Sequence, residues 1–317
     1  MDIRTYPSFT EAYVGLSRLL VEHPDYVSSP RGMQVREKLG VQFRISNPRD
    51  RLPFVRARDF SLSYLVAEMT WYLSGNDSTK WISRYAPFWR GISDDGVTAN
   101  SAYGSRIFRQ HPRIGQIVQW KYVIDELRKD PESRRAVIHI RVPADSDTAS
   151  KDVPCTLSLH FFLREGKLHL HVSMRSSDIV LGLAYDVPAF TVMQEMMANE
   201  LDVELGEYVH TSNSLHCYSR DEETLRAMAE WDPPSLGAMR PVPKAFPIAA
   251  LVAVEGSVSD MSLDDVLVPI KSLSSDDLVN DWGLILLANR MRKAKRHEMV
   301  KACRDAFVWR PYAFFTR

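Results

Sequence analysis

The chain has 317 residues, enough for one large domain or two ordinary ones, and 45% of them are hydrophobic, ample for a real core. Lys plus Arg equals Asp plus Glu at 40 each, so no global field recruits nucleic acid or membrane, and an anionic ligand has to be held by local arginines. The three cysteines, Cys155, Cys217 and Cys303, form no closely spaced framework, and neither a signal-like start nor a long apolar run is present, so a cytoplasmic protein in a reducing compartment is expected.

In chain order, PRDRLPFVRARD (48–59) reads as a mostly solvated basic stretch. FSLSYLVAEMTWYLSG (60–75) has apolar residues at 62, 65, 66, 69, 72 and 73, a spacing that predicts a helix stopped by Gly75. YVIDELRKDPESRRAVIHIRVP predicts a helix, a turn and a strand over about 136–142. TLSLHFFL and KLHLHVSM flank REGK with alternating faces, the pattern of a hairpin. VPAFTVMQEMMANELDVELG predicts a long helix ending near Gly206, and WDPPSLGAMRPVPKAFP (231–247) a loop rather than a domain boundary. The segment from about 278 to 308 is expected to be helical and basic towards its end. These elements suggest a single α+β domain over 1–317 with a helical C-terminal region about 275–317.

Cys155 follows a proline and opens the hairpin. Most cysteines are packing residues, whereas a nucleophilic thiol needs cationic neighbours to favour the thiolate below the ordinary cysteine value of about 8.5. Arg175 at the end of the hairpin and Arg134–Arg135 before the preceding strand are candidates, and the residues by themselves leave both roles open. His169 and His171, with His160 and His139 on neighbouring strands, offer an alternative zinc-enzyme reading. Balanced charge weighs against a second alternative, a non-catalytic nucleotide- or RNA-binding protein.

The order of motifs resembles the thymidylate synthase family over about residues 29–222. AEMTWYLSG resembles the helix that places the family's catalytic glutamate, here Glu68. NSAYGSRI resembles the segment with an active-site tyrosine, here Tyr103. DPESRRAVIHI resembles Pro-x-Ser-Arg-Arg, whose arginines, here Arg134 and Arg135, reach across a dimer to the partner's substrate phosphate. VPCT resembles the nucleophile motif, MRSSDIVLGLAYDV the segment Gln-Arg-Ser-x-Asp-x-x-Leu-Gly-Leu-Pro-Phe-Asn-Ile, and HTSNSLHCY keeps His-x-Tyr for the sugar hydroxyl as His216 and Tyr218. The resemblance implies a mixed β-sheet packed with helices, a sheet-to-sheet homodimer, and methylenetetrahydrofolate as cosubstrate. It also implies a phosphate cluster of Arg31, Arg134, Arg135 and Arg175 with Ser176, Arg31 standing beside Pro30 where the family has an arginine. Guanidinium forks suit a phosphate dianion. Asp178, Gly182, Tyr185, Trp89 and Tyr103 correspond to folate-side positions, Asp178 alternatively capping a turn. Arg58 aligns with a lysine that faces the folate. No metal is implied.

Departures from the pattern sharpen the expectation. Asp186 stands where thymidylate synthases have asparagine. An amide matches N3–H and O4 of uracil, whereas a carboxylate accepts from the N4 amine of cytosine, and from N3–H once N3 is protonated. An alternative role for Asp186 is to cap a helix starting near Val187. Thr156, Met174 and Ala184 replace histidine, glutamine and proline, and RPYAFFTR does not match the family's apolar C-terminus. Together these resemble the cytidylate hydroxymethylase branch, with CMP favoured over dCMP and water quenching the C5 methylene.

Overall fold

The computed structural model describes residues 3–146, 149–234, 236–262 and 273–316. In chain order it opens with β1 (Arg4–Tyr6), α1 (Phe9–Glu22), β2 (Tyr26–Ser28), β3 (Val35–Ile45) and α2 (Leu62–Leu73). Next come α3 (Thr79–Ile82), α4 (Phe88–Ile92), α5 (Tyr103–Phe108), α6 (Gln119–Lys129) and β4 (Val137–His139). Strands β5 (Thr156–Arg164), β6 (Lys167–Met174) and β7 (Ser177–Asp178) lead to α7 (Leu183–Leu201) and β8 (Glu204–Tyr218). Helices α8 (Glu222–Ala229), α9 (Ile248–Asp260), α10 (Asp277–Lys293) and α11 (His297–Asp305) follow. The chain forms two compact units, residues 1–60 with 106–244, and residues 61–105 with 245–317. It passes finally from the first to the second at 244–245, inside the Pro-rich loop.

The first unit is built on an eight-stranded mixed sheet ordered β1-β3-β8-β6-β5-β4, with β2 on β3 and β7 on β8. The β5–β6 hairpin forms as its alternation predicts. Arg164 pairs with Lys167, and Glu165 and Gly166 between them both take positive φ, 51° and 73°, the two-residue turn that matches strand twist. Leu168, Leu170, Val172 and Met174 of β6 are buried while Lys167 and His171 are exposed, so one face is core. Helix α7 packs on that face against β6 and β8.

Four expectations shift here. Helix α7 starts at Leu183 rather than near Val187, and Pro188 lies inside it. Proline favours a first turn, so it drew the expected start too far along. The helix ends at Leu201 on Asp202 in the left-handed conformation (φ 54°), and the alternating residues after it form β8. Strand β4 is shorter than 136–142. The basic stretch is not solvated: residues 51–55 are buried. There Arg51 and Arg49 share the Glu195 carboxylate of α7 at 2.5 and 2.6 Å.

In the second unit, the Ser61 side chain caps α2 by accepting from the Tyr64 N–H at 3.3 Å, and Gly75 at φ 64° follows its end. Every α2 residue except Ser63 is buried, against α9 and α10 among others. Gly104 is required by close approach, because a Cβ there would stand 2.1 Å from the Tyr72 carbonyl oxygen. The tail expected as one helix over 278–308 is two, α10 and α11, with Lys295 at φ 58° between them. No helix among the described residues is long and apolar enough to cross a membrane.

Candidate active site

Cys155 sits half-buried at the mouth of the hairpin. Because β5 and β6 pair, the Arg175 N–H donates to the Cys155 carbonyl at 2.9 Å, and the Arg175 guanidinium comes back over the thiol. Its Nη2 lies 3.5 Å from Sγ, while Nε and Nη2 also donate to the carbonyls of Pro154 and Val153 at 3.0 Å. Burial pushes the thiol pKa up; Arg175 and Arg31 oppose this, and Asp186 and Asp152 add to it. Arginine therefore opposes the effect of burial on the thiol without reversing it. Asp152, buried beside the nucleophile, was not among the expected residues; its place in DVPC, three residues before the thiol, was the available signal.

Arg31 occupies a short 3-10 turn, Pro30–Gly32, at φ 55°, a conformation uncommon for residues with side chains. Ser176 Oγ lies 3.5 Å from His216 Nδ1, and the His216 ring stands edge-on to Tyr218 at 5.3 Å. Arg175, Ser176, His216 and Tyr218 thus gather where β6 passes into β7 along β8. Arg134 and Arg135 differ: both side chains are exposed, and their segment is fastened through its backbone, with His160 Nε2 3.1 Å from the Arg134 carbonyl.

Asp178 caps a turn and keeps its second oxygen spare. Its Oδ1 accepts from the N–H groups of Val180 and Leu181 at 2.8 and 3.0 Å, a turn cap. Its Oδ2 is buried without a hydrogen-bond partner, a spare acceptor of the type a pterin ring requires. Burial raises its pKa. Tyr185 stacks on Phe60 at 4.8 Å with the Arg58 guanidinium 5.4 Å over its ring. Arg58 Nε donates to the Val180 carbonyl, so Arg58 belongs with the Asp178–Tyr185 turn rather than with solvent. Gly182 precedes α7, and a Cβ there would meet nothing closer than Asp186 Oδ2 at 3.4 Å, so room does not demand a glycine.

Asp186 lies in the first turn of α7, its N–H donating to the Gly182 carbonyl at 3.0 Å; it is not the helix cap. Its charge raises the pKa of the buried Tyr208 further beyond the effect of burial. Tyr208 Oη lies 2.8 Å from His210 Nδ1, and burial lowers the His210 pKa to about 3. His210 Nε2, Ser212 Oγ and Thr156 Oγ1 have no hydrogen-bond partner, and an unpaired buried polar atom costs about 1–3 kcal/mol. Tyr208, His210 and Ser212 alternate along β8, and that period is visible in EYVHTSNS; polar residues on a strand read as an outer face.

Glu68, in the second unit, is buried. Its Oε1 accepts from the hydroxyls of Tyr64 and Tyr72, one helical turn away on either side, at 2.6 and 3.1 Å. Trp89 Nε1 donates to Tyr64 Oη at 3.1 Å, and Tyr103 stacks on Tyr72 at 5.4 Å. Burial pushes the Glu68 carboxyl up to about 7, against the pull of both hydroxyls, which suits proton transfer near neutrality. Its ordinary value of 4.5 lies below this, so its contribution to stability is full below pH 4.5 and is lost as pH rises to about 7. Denaturation over pH 5 to 8 should therefore show a loss of up to about 3 kcal/mol that Glu68→Gln removes.

A half-buried thiol under a guanidinium, faced by a carboxylate on the covering helix, suits covalent addition to an electron-poor ring. Residues 11–261 match the family described as thymidylate synthase, and the chain belongs to that family. Methylenetetrahydrofolate is the cosubstrate of that family, and the orphaned Asp178 Oδ2 fits such a group. The chain is similar to the deoxyuridylate hydroxymethyltransferase of Bacillus phage SP01, 33% identical over 221 residues, 67% of this chain and 57% of that protein. It thus spans little more than half the length of that curated relative. Of the histidines of the zinc alternative, His169 Nδ1 accepts from the Glu207 N–H at 3.1 Å, and His171 packs edge-on against Phe162 at 5.0 Å. Among the described residues no group of three or more His, Cys, Asp or Glu could hold a metal ion.

Proposed function

We propose that the protein transfers a one-carbon unit from methylenetetrahydrofolate to C5 of a cytidine 5′-monophosphate nucleotide, CMP in preference to dCMP, and that water completes the 5-hydroxymethyl product. The observation that carries the base assignment is Asp186, set in the first turn of α7 and close enough to act electrostatically on Cys155. The Cys155 sulfur adds to C6, making C5 nucleophilic. Asp186 accepts from N4 and from protonated N3, and Glu68 carries protons. Arg31, Arg175 and Ser176 hold the phosphate with Arg134 and Arg135 from a second copy, and His216 and Tyr218 hold the sugar. Asp178, Gly182, Tyr185, Trp89 and Tyr103 hold the folate, which supplies the carbon. The second copy docks on the sheet face that carries Phe162, His169 and His171.

One observation favours a second reading, the relative that is a deoxyuridylate hydroxymethyltransferase. On that reading the base is uracil and the nucleotide dUMP. The test offers CMP, dCMP and dUMP, each tritiated at C5, in water enriched in oxygen-18. Tritium release is expected from cytidylates first, with a hydroxymethyl product carrying the heavy oxygen and tetrahydrofolate released, from a protein that sediments as a pair of chains. A 5-methyl product with dihydrofolate, or dUMP preferred at neutral pH, would overturn the assignment.

A further inference from the structure

His210 Nε2, Ser212 Oγ and Thr156 Oγ1, three polar atoms without partners, belong to side chains with 0% exposure. Register sets Thr156 opposite Met174, and Met174 opposite Ser212. His210 lies two residues before Ser212, so all of them share one face of three adjacent strands. Helix α7 covers that face. Past its middle Gln194 Nε2 donates to the carbonyls of Leu168 and Gly206 at 2.9 and 3.3 Å. Its first turn, with Asp186, lies within electrostatic reach of Tyr208.

The chemistry of these atoms limits what they hold. Two hydroxyls and a neutral imidazole nitrogen offer no charge for a phosphate or a metal ion. Whichever tautomer His210 adopts toward Tyr208, its Nε2 keeps one hydrogen-bonding capacity in the interior. Small neutral donor–acceptor sets of this kind are satisfied by buried water, which takes two to four polar partners. We infer that His210, Ser212 and Thr156 form a seam of ordered water between the sheet and the first turn of α7, ending at the residue after Cys155, that supplies the oxygen of the hydroxymethyl group.

This inference rests on the hydroxymethylation proposed above. In the step, a water oxygen bonds to the exocyclic methylene carbon at C5 and the methylene π pair moves into the ring. That pair re-forms C5=C6 as the Cys155 sulfur leaves C6 with its bonding electrons. The water proton passes to a carboxylate, and no oxidant or reductant is consumed.

The test separates early from late steps. Tritium release from C5 precedes water capture, whereas hydroxymethyl product requires it. In a single turnover with enzyme in excess over nucleotide, Ser212→Ala and Thr156→Val are each expected to slow product formation ~10- to 100-fold while tritium release stays within ~3-fold of the parent, and Thr156→Ser is expected to retain product. A crystal structure of the unsubstituted protein should show water bonded to Ser212 Oγ and His210 Nε2, a result independent of how any variant folds. Product and tritium release falling together, an unchanged ratio, or no water at either atom would overturn the inference alone. A parent product without solvent oxygen would overturn the proposed hydroxymethylation as well.

Discussion

Cys155→Ala is expected to abolish tritium release from C5 of CMP, by at least about 10³-fold, with nucleotide binding retained. The thiol is half-buried, so its loss leaves little cavity, and Arg175 keeps its bonds to the carbonyls of Val153 and Pro154. Retained binding measured by calorimetry would place the loss in the covalent step. Cys217 and Cys303 are fully buried, and burial pushes both thiols up to about 12. Their alanine variants should lose stability and keep turnover. Ordinary turnover by Cys155→Ala would return that residue to packing.

Asp186→Asn carries the second large effect. An amide in the same place restores a donor opposite O4 of uracil and loses an acceptor for the N4 amine. The ratio of kcat/KM for dUMP over dCMP should rise by about one to two powers of ten, the scale of one hydrogen-bonded edge. A full switch is not expected, because Tyr208 and His210 beneath the helix stay as they are. If the ratio does not move, base choice lies elsewhere.

Local signals carried much of this architecture. Alternation in β5 and β6 and the REGK turn predicted the hairpin, and the hairpin alone brings Arg175 to Cys155. Helical spacing located α2, but only one face showed in the pattern, so near-complete burial of the helix, and with it the raised Glu68 pKa, needed the second unit. Arg51 read as solvated because its partner Glu195 lies 144 residues away. Pro188 masked the first turn of α7 and left Asp186 open to being a cap. The polar face of β8 was hidden for a related reason: which side of a strand is inner depends on the helix that covers it, and that helix was misplaced by four residues. Composition cannot report pairings at such range.

Strand β8 pairs with β3 along most of its length, with β6 up to Ser212, and with β7 at Leu215 and His216. In the proposed site it is therefore a measuring rod. His210 and His216, the second proposed at the sugar, are separated by about 20 Å of strand, at ~3.3 Å per residue. Inserting one residue between them would turn one of the two side chains to the opposite face. Inserting two would restore the faces but lengthen the rod by about 7 Å, roughly the width of a nucleoside. Added length in this chain is thus accommodated in its loops, while the spacing of these side chains is cut into one uninterrupted strand.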